Sequence, residues 1–152
     1  MRIEHKITVD APRRLVWEYV TEPANYPVFM EGLTRWEVAG DRHSGLGARY
    51  RMLLRVGAAD VGGLIEIVEW QPEGDTAWSS VTGVDQRGRW RLRELGDGRT
   101  RVTFRFAYGV AGGGLAGLIA ERVAAPGLSR RFHQSLLNLK RAVESQTEAI
   151  GA

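Results

Sequence analysis

The sequence contains no cysteine in its 152 residues. Disulfide bonds and thiolate-bound metals are therefore excluded, and a reducing compartment suits the chain, so we predict a cytoplasmic location. Histidine is also scarce. His5, His43 and His133 are scattered and show neither the HxH nor the HExxH spacing of metal ligands. The sequence therefore predicts no metal site.

The sequence also lacks an apolar run long enough to span a membrane. Its longest mainly apolar stretch, Val110 to Ala120, is interrupted by glycine and is too short to cross a bilayer. The opening residues, Met1 to Asp10, are polar and alternating, unlike a secretory signal. We predict no transmembrane segment, although peripheral contact with a membrane stays open.

One glycine motif matches a cofactor site in form only. Gly112, Gly114 and Gly117 fit the GxGxxG pattern and lie between a predicted strand and a predicted helix. A dinucleotide site also needs a parallel strand after that helix, and here the helix is the last predicted element. We therefore predict no cofactor and interpret these glycines as a sharp turn from sheet to helix.

The composition is that of a soluble globular protein. Hydrophobic residues make up 43% and charged residues 26% of the chain, and neither an internal repeat nor a linker is visible. We predict one domain over residues 1–146 and a frayed tail at residues 147–152. Glycine is abundant, with 19 residues, which indicates several turns and a bulge at Gly62-Gly63.

Hydrophobic periodicity predicts the order of the elements. A period of two predicts a first strand from Ile3 to Val9 and about six further strands between Thr34 and Val110. Two short helices are predicted between the first strand and the others. A long C-terminal helix is predicted from an apolar stripe formed by Phe132, Leu136, Leu139 and Val143. Pro126-Gly127 should kink or break this helix.

Consecutive strands joined by short turns predict an antiparallel meander in which each strand has one apolar and one charged face. Only the helices remain to cover the apolar face. We therefore predict an α+β fold. Its curved antiparallel sheet of about seven strands wraps on the long C-terminal helix, and two short helices follow strand one.

Several short motifs occur together and in order along nearly the whole chain. They are Ala11-Pro12 with Val16-Trp17, Asn25-Tyr26-Pro27 with Phe29, Gly47, Trp70, and Leu136-Leu137-Asn138-Leu139-Lys140 with Glu144. In this the chain resembles the START-like, or SRPBCC, superfamily, and within it the polyketide cyclase/dehydrase and lipid transport group. Many relatives carry Trp at the position of Phe29. The resemblance implies the helix-grip fold, and a hydrophobic ligand whose identity the fold does not decide.

The predicted inner face of the sheet is apolar and aromatic with a few polar tips, which is typical of a small-molecule site. The alternative is that these side chains simply pack a solid core. The residues predicted to line a cavity are Tyr26, Phe29, Met30, Tyr50, Met52, Leu54, Ile67, Trp78, Ser80, Trp90, Phe104, Phe106, Tyr108, Leu118, Phe132 and Leu136.

The chain shows no complete catalytic constellation, so whether it is an enzyme stays open. An aromatase/cyclase folds a reactive chain in a shaped pocket and moves protons with a few polar groups. The weak candidates for such roles are Tyr50, Ser80, Tyr108, His133 and Glu69. Many cyclases use an inward arginine, and none is predicted here because the strand arginines alternate outward.

Arginine dominates the predicted outer face of the sheet. On one strand, every second residue from Arg87 to Arg93 is arginine. We favour a solvated face with partial pairing to Glu37, Glu66 and Glu94; attraction to an anionic partner is the alternative. The aromatic residues are predicted on the opposite face, so we do not predict a nucleic-acid platform.

The sequence therefore predicts a protein that binds a hydrophobic small molecule, lipid or polyketide-like, between sheet and C-terminal helix, for carriage or processing. The main alternative is an aromatase/cyclase-type enzyme that uses a few polar cavity groups. A third hypothesis is an interaction module that docks a partner on the arginine face. The sequence does not indicate the oligomeric state.

Overall fold

The computed structural model describes the backbone of residues 2–108 and 114–151 and the side chains of residues 2–108 and 127–150. Within these ranges seven strands form one antiparallel sheet, with the order β1-β7-β6-β5-β4-β3-β2. The strands are β1 (Arg2–Val9), β2 (Leu33–Ala39), β3 (Arg49–Val56), β4 (Ala59–Gln71), β5 (Asp75–Ser80), β6 (Gln86–Glu94) and β7 (Thr100–Tyr108). Strands β2 to β7 thus pair in sequence as a meander, and β1 joins the edge at β7.

The helices lie between β1 and β2 and at the end of the chain. Helices α1 (Arg13–Val20) and α2 (Tyr26–Phe29) follow β1, with a 3-10 turn at Pro23–Asn25 between them, and α3 (Gly114–Gly151) follows β7. The predicted α+β architecture is confirmed, with its curved antiparallel sheet, two short helices after strand one and a long C-terminal helix.

The alternation of side chains along β6 separates core from solvent. Trp90 and Leu92 are fully buried, and the arginines between and around them stand on the outer face. Trp90 pairs with Phe104 of β7, and Leu92 pairs with Val102. Large apolar side chains therefore meet across the two strands, and burial of each contributes about 1.5–3 kcal/mol to stability.

A β-bulge at Val68 reverses the facing of β4. Ile67 pairs with Trp78 of β5, whereas the next pair joins Glu69 to Ala77, so that Val68 has no partner on β5. A bulge adds one residue to one strand and shifts its side-chain alternation by one position. Inward positions therefore pass from the odd residue Ile67 to the even-numbered residues that follow the bulge.

The bulge predicted at Gly62-Gly63 is wrong, because both glycines pair with β3 in regular register. They serve a close approach between backbones instead. A Cβ atom on Gly62, whose φ is 157°, would stand 2.1 Å from the carbonyl oxygen of Met52. Only glycine therefore fits at this place in β4.

The C-terminal half of α3 is fixed to the sheet and to α2. Its buried stripe consists of Leu136, Leu139 and Val143. Asn138 Nδ2 donates a hydrogen bond to the carbonyl oxygen of Phe29 at 3.1 Å, and Lys140 Nζ donates to that of Thr8 at 3.0 Å. These bonds give a physical reason for the polar residues in the closing motif of the sequence.

The backbone of α3 is helical from Gly114 to Gly151. Of the two alternatives at Pro126 the break is therefore excluded, whereas the kink stays a prediction. Residues 147–151, the predicted tail, are part of the helix. A proline removes one helical hydrogen bond at a cost of about 3 kcal/mol. The packed stripe beyond it offsets that cost, and the hydroxyl of Thr147 donates to the Val143 carbonyl at 3.1 Å in the final turns.

Candidate ligand-binding site

The inner face of the sheet and α3 share a continuous group of aromatic rings. Trp90 and Phe104 have ring centroids 4.3 Å apart. From α3, Phe132 reaches Phe104 at 5.2 Å and Phe106 at 4.9 Å. Rings at these spacings attract one another beyond the effect of burial alone, by about 0.5–1.5 kcal/mol a pair. The helix is thus held to the sheet by aromatic contacts.

Tyr26 connects α2 to the same aromatic group. Its ring stacks on Trp36 with centroids 4.1 Å apart, and its hydroxyl accepts a hydrogen bond from Trp90 Nε1 at 3.0 Å. Burial raises the pKa of Tyr26 far above its ordinary value, although the hydrogen bond from Trp90 opposes this shift. Tyr26 is therefore a neutral, fixed partner within the core.

A cavity of about 10 Å³ lies among these rings. Its wall consists of Met30, Leu33, Trp36, Met52, Leu54, Trp78, Phe104, Phe106 and Phe132. A space of this size holds about one water molecule. The side chains around this cavity are therefore closely packed, and a larger ligand there requires them to move.

The structure places most of the predicted lining residues in two groups, whereas Ser80 and Tyr108 are partly buried and belong to neither. Those in the wall of this cavity are Met30, Met52, Leu54, Trp78, Phe104, Phe106 and Phe132. Those buried in the core outside it are Tyr26, Phe29, Tyr50, Ile67, Trp90 and Leu136. Of these, Tyr26, Tyr50 and Ile67 border a second cavity of about 10 Å³ beside Trp70. Leu118 lies outside the residues whose side chains are described.

Two residues of β2 join the wall although the sequence analysis did not name them as lining residues. Leu33 pairs with Leu54 and Trp36 pairs with Met52, with a register irregularity between Leu33 and Arg35. That irregularity lets two residues three positions apart face inward together. Strict alternation could indicate Trp36 but not Leu33.

Gln86 is a buried polar residue at the edge of the cavity wall that sequence reasoning missed. It is 4% exposed, and its Nε2 lies 2.9 Å from the sulfur of Met52. Its Oε1 has no hydrogen-bond partner in the described part of the chain. The signal for it was available, because β6 alternates inward at Trp90 and Gly88 and the next inward position is Gln86.

Other buried polar atoms on the inner side also lack partners among the described residues. They are Nε1 of Trp36, Nε1 of Trp78 and Oγ1 of Thr76. Most buried polar groups in proteins are hydrogen-bonded, and each exception costs about 1–3 kcal/mol. Together with Gln86 they give this interior donors and an acceptor that a ligand with polar atoms could satisfy.

Tyr50, one of the weak catalytic candidates, is bound to the loop before β3. Its hydroxyl donates a hydrogen bond to the carbonyl oxygen of His43 at 2.7 Å. Burial raises the pKa of Tyr50 to about 12, and the negative charge of Glu22 adds to this shift. At neutral pH the phenol is therefore fully protonated, and its hydrogen is already engaged by the His43 carbonyl oxygen.

Ser80 and Tyr108 lie on the inner side of the sheet at its β5–β6 and β7 ends. The hydroxyl of Ser80 donates to Asp85 Oδ1 at 3.2 Å and accepts from the Gln86 backbone N–H at 3.2 Å. Tyr108 pairs with Gln86 in the sheet, and its ring lies 5.8 Å from that of Phe106. Ser80 thus serves the turn between β5 and β6.

Glu69 does not reach the interior. Its carboxylate lies 2.5 Å from Arg89 Nη2 on the outer face. The bulge at Val68 is the reason, because without it the alternation that buries Ile67 would place Glu69 on the inner side. The carboxylate proposed from the sequence as a proton carrier in the cavity is therefore part of an outer ion pair.

His133 lies beside a second histidine, His5. It is exposed on α3, and its ring lies 5.5 Å from that of His5 on β1. His5 Nε2 lies 3.0 Å from Ser129 Oγ. The structure thus brings the two histidines together but does not bring His133 to Tyr50, Ser80 or Glu69.

None of the helices in the described ranges is both long and apolar enough to cross a bilayer. Among the residues that the structure describes, no three His, Asp or Glu side chains are grouped so that they could hold a metal ion.

The arrangement of a long C-terminal helix on a curved seven-stranded sheet, with an aromatic interior between them, defines the helix-grip class of the START-like superfamily. Within that class, residues 1–144 match the family described as polyketide cyclase / dehydrase and lipid transport. The chain belongs to this family. The predicted resemblance is therefore confirmed.

Solved structures agree with this fold. The Zhui aromatase/cyclase from Streptomyces sp. R1128 is 22% identical, with a TM-score of 0.79 over 100% of this chain and 98% of that chain. TTHA0849 from Thermus thermophilus is 20% identical, with a TM-score of 0.78 over 96% and 99% of the two chains. The di-domain ARO/CYC StfQ from the steffimycin biosynthetic pathway is 17% identical, with a TM-score of 0.65 over 96% of this chain and 46% of that chain. No curated protein matches the sequence of this chain.

Proposed function

We propose that the protein binds a hydrophobic small molecule, lipid or polyketide-like, between the sheet and α3, for carriage or processing. The ligand carries at least one hydroxyl or carbonyl group. The observation that carries this proposal is the buried amide of Gln86, without a partner for its oxygen among the described residues, beside an aromatic and apolar cavity. Membership of a family described by polyketide cyclisation and lipid transport supports it.

The ligand enlarges the cavity by moving flexible side chains. Met30 and Met52 are part of its wall, and methionine, with its unbranched and polarizable side chain, changes shape more readily than other core residues. Met52 also covers Gln86, through the contact of its sulfur with Nε2 at 2.9 Å. Displacement of Met52 therefore opens space and exposes the amide in the same movement.

The amide of Gln86 then forms hydrogen bonds with the polar group of the ligand. Sulfur is a weak acceptor, so a ligand oxygen is a better partner for Nε2, and a ligand hydroxyl satisfies Oε1. The site therefore discriminates between an oxygenated ligand and its analogue without the oxygen, because the analogue leaves the buried amide without a hydrogen-bond partner. The site therefore prefers an oxygenated aromatic or acyl compound over a plain hydrocarbon.

The placement of the catalytic candidates favours binding over turnover. Tyr50 is bonded to a loop carbonyl, Ser80 to a turn, and Glu69 to an outer arginine. General acid–base catalysis needs its groups within hydrogen-bond reach of one reacting atom. These three do not share such a point, so the enzyme hypothesis receives no support from them.

Calorimetric titration with two matched probes, 2-naphthol and 2-methylnaphthalene, tests the proposal. The unmodified protein should bind both and prefer 2-naphthol. Gln86→Leu removes the amide but nearly keeps the side-chain volume. It should weaken the binding of 2-naphthol by roughly tenfold and leave the affinity for 2-methylnaphthalene unchanged. Gln71→Leu, at an exposed glutamine of β4, is the control and should change neither. Absence of binding of both probes, or equal weakening of both by Gln86→Leu, would contradict the proposal.

Two further expectations from the sequence belong with this proposal. The cytoplasmic location rests on the complete lack of cysteine and stays a prediction. Peripheral contact with a membrane, through which a lipid ligand could be exchanged, stays a prediction as well.

A further inference from the structure

The outer face of the sheet is strongly basic on one half. Strands β1, β5, β6 and β7 together contain eight lysine or arginine residues and three acidic residues. The formal charge of the whole chain is only +3. Positive charge is therefore concentrated on these four strands. Their acidic residues are too few to neutralise all of it.

A depression of about 490 Å³ lies on this half of the outer face. Its floor is made of small side chains, including Ala77, Ser79 and Ala107, and its rim carries Arg2, Arg87, Arg89 and Arg105. Sites for small molecules typically measure about 300–1,000 Å³. The depression is thus large enough for a small organic anion.

Two arginines of the rim face each other across the smallest part of the floor. In the sheet register, Ala107 of β7 pairs with Arg2 of β1 on one side and with Arg87 of β6 on the other. Backbones two strands apart are about 10 Å distant. Because Ala107 has only a methyl group, the two guanidinium groups border a slot instead of a filled surface.

The rim arginines differ in their ion pairs. Arg89 is neutralised by Glu69 at 2.5 Å and Asp75 at 3.2 Å, and Arg105 lies 3.2 Å from Glu4. Arg2 and Arg87 are exposed, and neither has an acidic partner within the described part of the chain. The positive potential of the depression is therefore highest at the slot over Ala107.

We propose that this slot binds the phosphate group of a soluble phosphate monoester. The planar forks of Arg2 and Arg87 match the oxygens of a phosphate, and the hydroxyl of Ser79, beside Arg87 in the register, supplies a further donor. The remaining depression accepts the organic part of the molecule. A concave site favours a small ligand over a flat membrane surface.

Amide NMR spectra of the labelled protein, recorded at low ionic strength, test this proposal with adenosine 5′-monophosphate as the probe. Saturable shifts are expected at Ser79, Arg87 and Ala107, and adenosine, which lacks the phosphate, should cause none. Arg87→Gln should weaken binding by roughly tenfold. Arg51→Gln removes an equally exposed outer arginine on β3 and should leave the affinity unchanged.

A second variant guards against a general loss of positive charge as the explanation. Ala107→Glu places a carboxylate between the two arginines and should abolish binding, while thermal unfolding reports whether the sheet is intact. The proposal is overturned by any of three results: no saturable shift, equal weakening by Arg51→Gln, or binding only to phosphatidylcholine vesicles that contain phosphatidic acid. Binding of 2-naphthol in the interior is a separate measurement and does not depend on this outcome.

Discussion

At the scale of single residues, the absence of a side chain determines where the aromatic rings lie. Gly88 occupies an inward position of β6, opposite Trp78 of β5. A Cβ atom on Gly88 would stand 2.1 Å from Cζ2 of Trp78. The indole therefore lies directly over the glycine, and the shape of the cavity wall depends on that contact.

Gly88→Ala should destabilise the protein by about 1–3 kcal/mol, because the Trp78 indole must leave its position in a packed core. Denaturant unfolding followed by tryptophan fluorescence measures the change. Gly96→Ala is the matched control, since a Cβ there meets nothing within 4 Å, and it should not lower the stability. Equal unfolding midpoints for the two variants would refute this account of Gly88.

The sequence predicted which residues face inward wherever alternation is regular, as at Tyr50, Met52 and Leu54, all of them buried. It did not identify Gln86 as a site residue although the alternation of β6 places it inward, because a polar residue at a strand end has no hydrophobic signal of its own. What alternation within one strand cannot reveal is its contact with Met52, because β3 and β6 are not neighbours in the sheet.

At the scale of elements, the short strand β5 is joined to β6 by ion pairs as well as by the backbone hydrogen bonds of the sheet. Asp75 begins β5 and is 5% exposed. Its carboxylate contacts Arg89 at 3.2 Å, Arg91 at 3.3 Å and Arg93 at 2.7 Å, all on β6. Burial alone would raise the pKa of Asp75, but the hydrogen bond and charge of Arg93, with those of Arg91, outweigh it and lower the pKa.

Asp75→Asn should therefore destabilise the protein by about 2 kcal/mol near neutral pH, because three arginines lose their common charged partner. A lowered folded-state pKa means that this stabilisation is present above the unfolded pKa, and it is lost as the pH falls through the folded value. The variant should show a flatter decline of stability below about pH 4. Urea unfolding as a function of pH is the measurement.

Asp60→Asn provides the comparison for this prediction. Asp60 is paired with Arg55 at 3.1 Å, but both side chains are well exposed, and exposed pairs contribute little. Its stability and its acid dependence should match those of the unmodified protein. If Asp60→Asn and Asp75→Asn behaved alike, the arginine cluster of β6 would have no special role in holding β5.

The same strands illustrate where the prediction from sequence stops. Alternation predicted the outward arginines of β6, but Glu69 required the position of a bulge that the sequence does not mark. The run from Leu64 to Trp70 is apolar at both odd and even positions, which fits a bulge between Ile67 and Trp70 as well as a strand buried on both faces. Pairing with β5 decides between them.

At the scale of the whole molecule, the family resemblance and the order of elements were predictable because many weak motifs agree. The size of the interior space was not, because it depends on the curvature of seven strands and on the packing of α3. The two interior cavities described above, which described side chains border, measure about 10 Å³ each. The interior must therefore open around a ligand, and we expect the side chains of Met30 and Met52 to move first.

Native mass spectrometry of the purified protein, with extraction of any bound compound, shows whether the interior opens around a ligand. A fraction of the protein should carry an added mass that is released on denaturation and identified as an oxygenated apolar compound. A protein of bare mass, which neither binds nor is thermally stabilised by fatty acids, sterols and aromatic polyketides, would contradict this expectation. The aromatic interior would then be a packed core and nothing more.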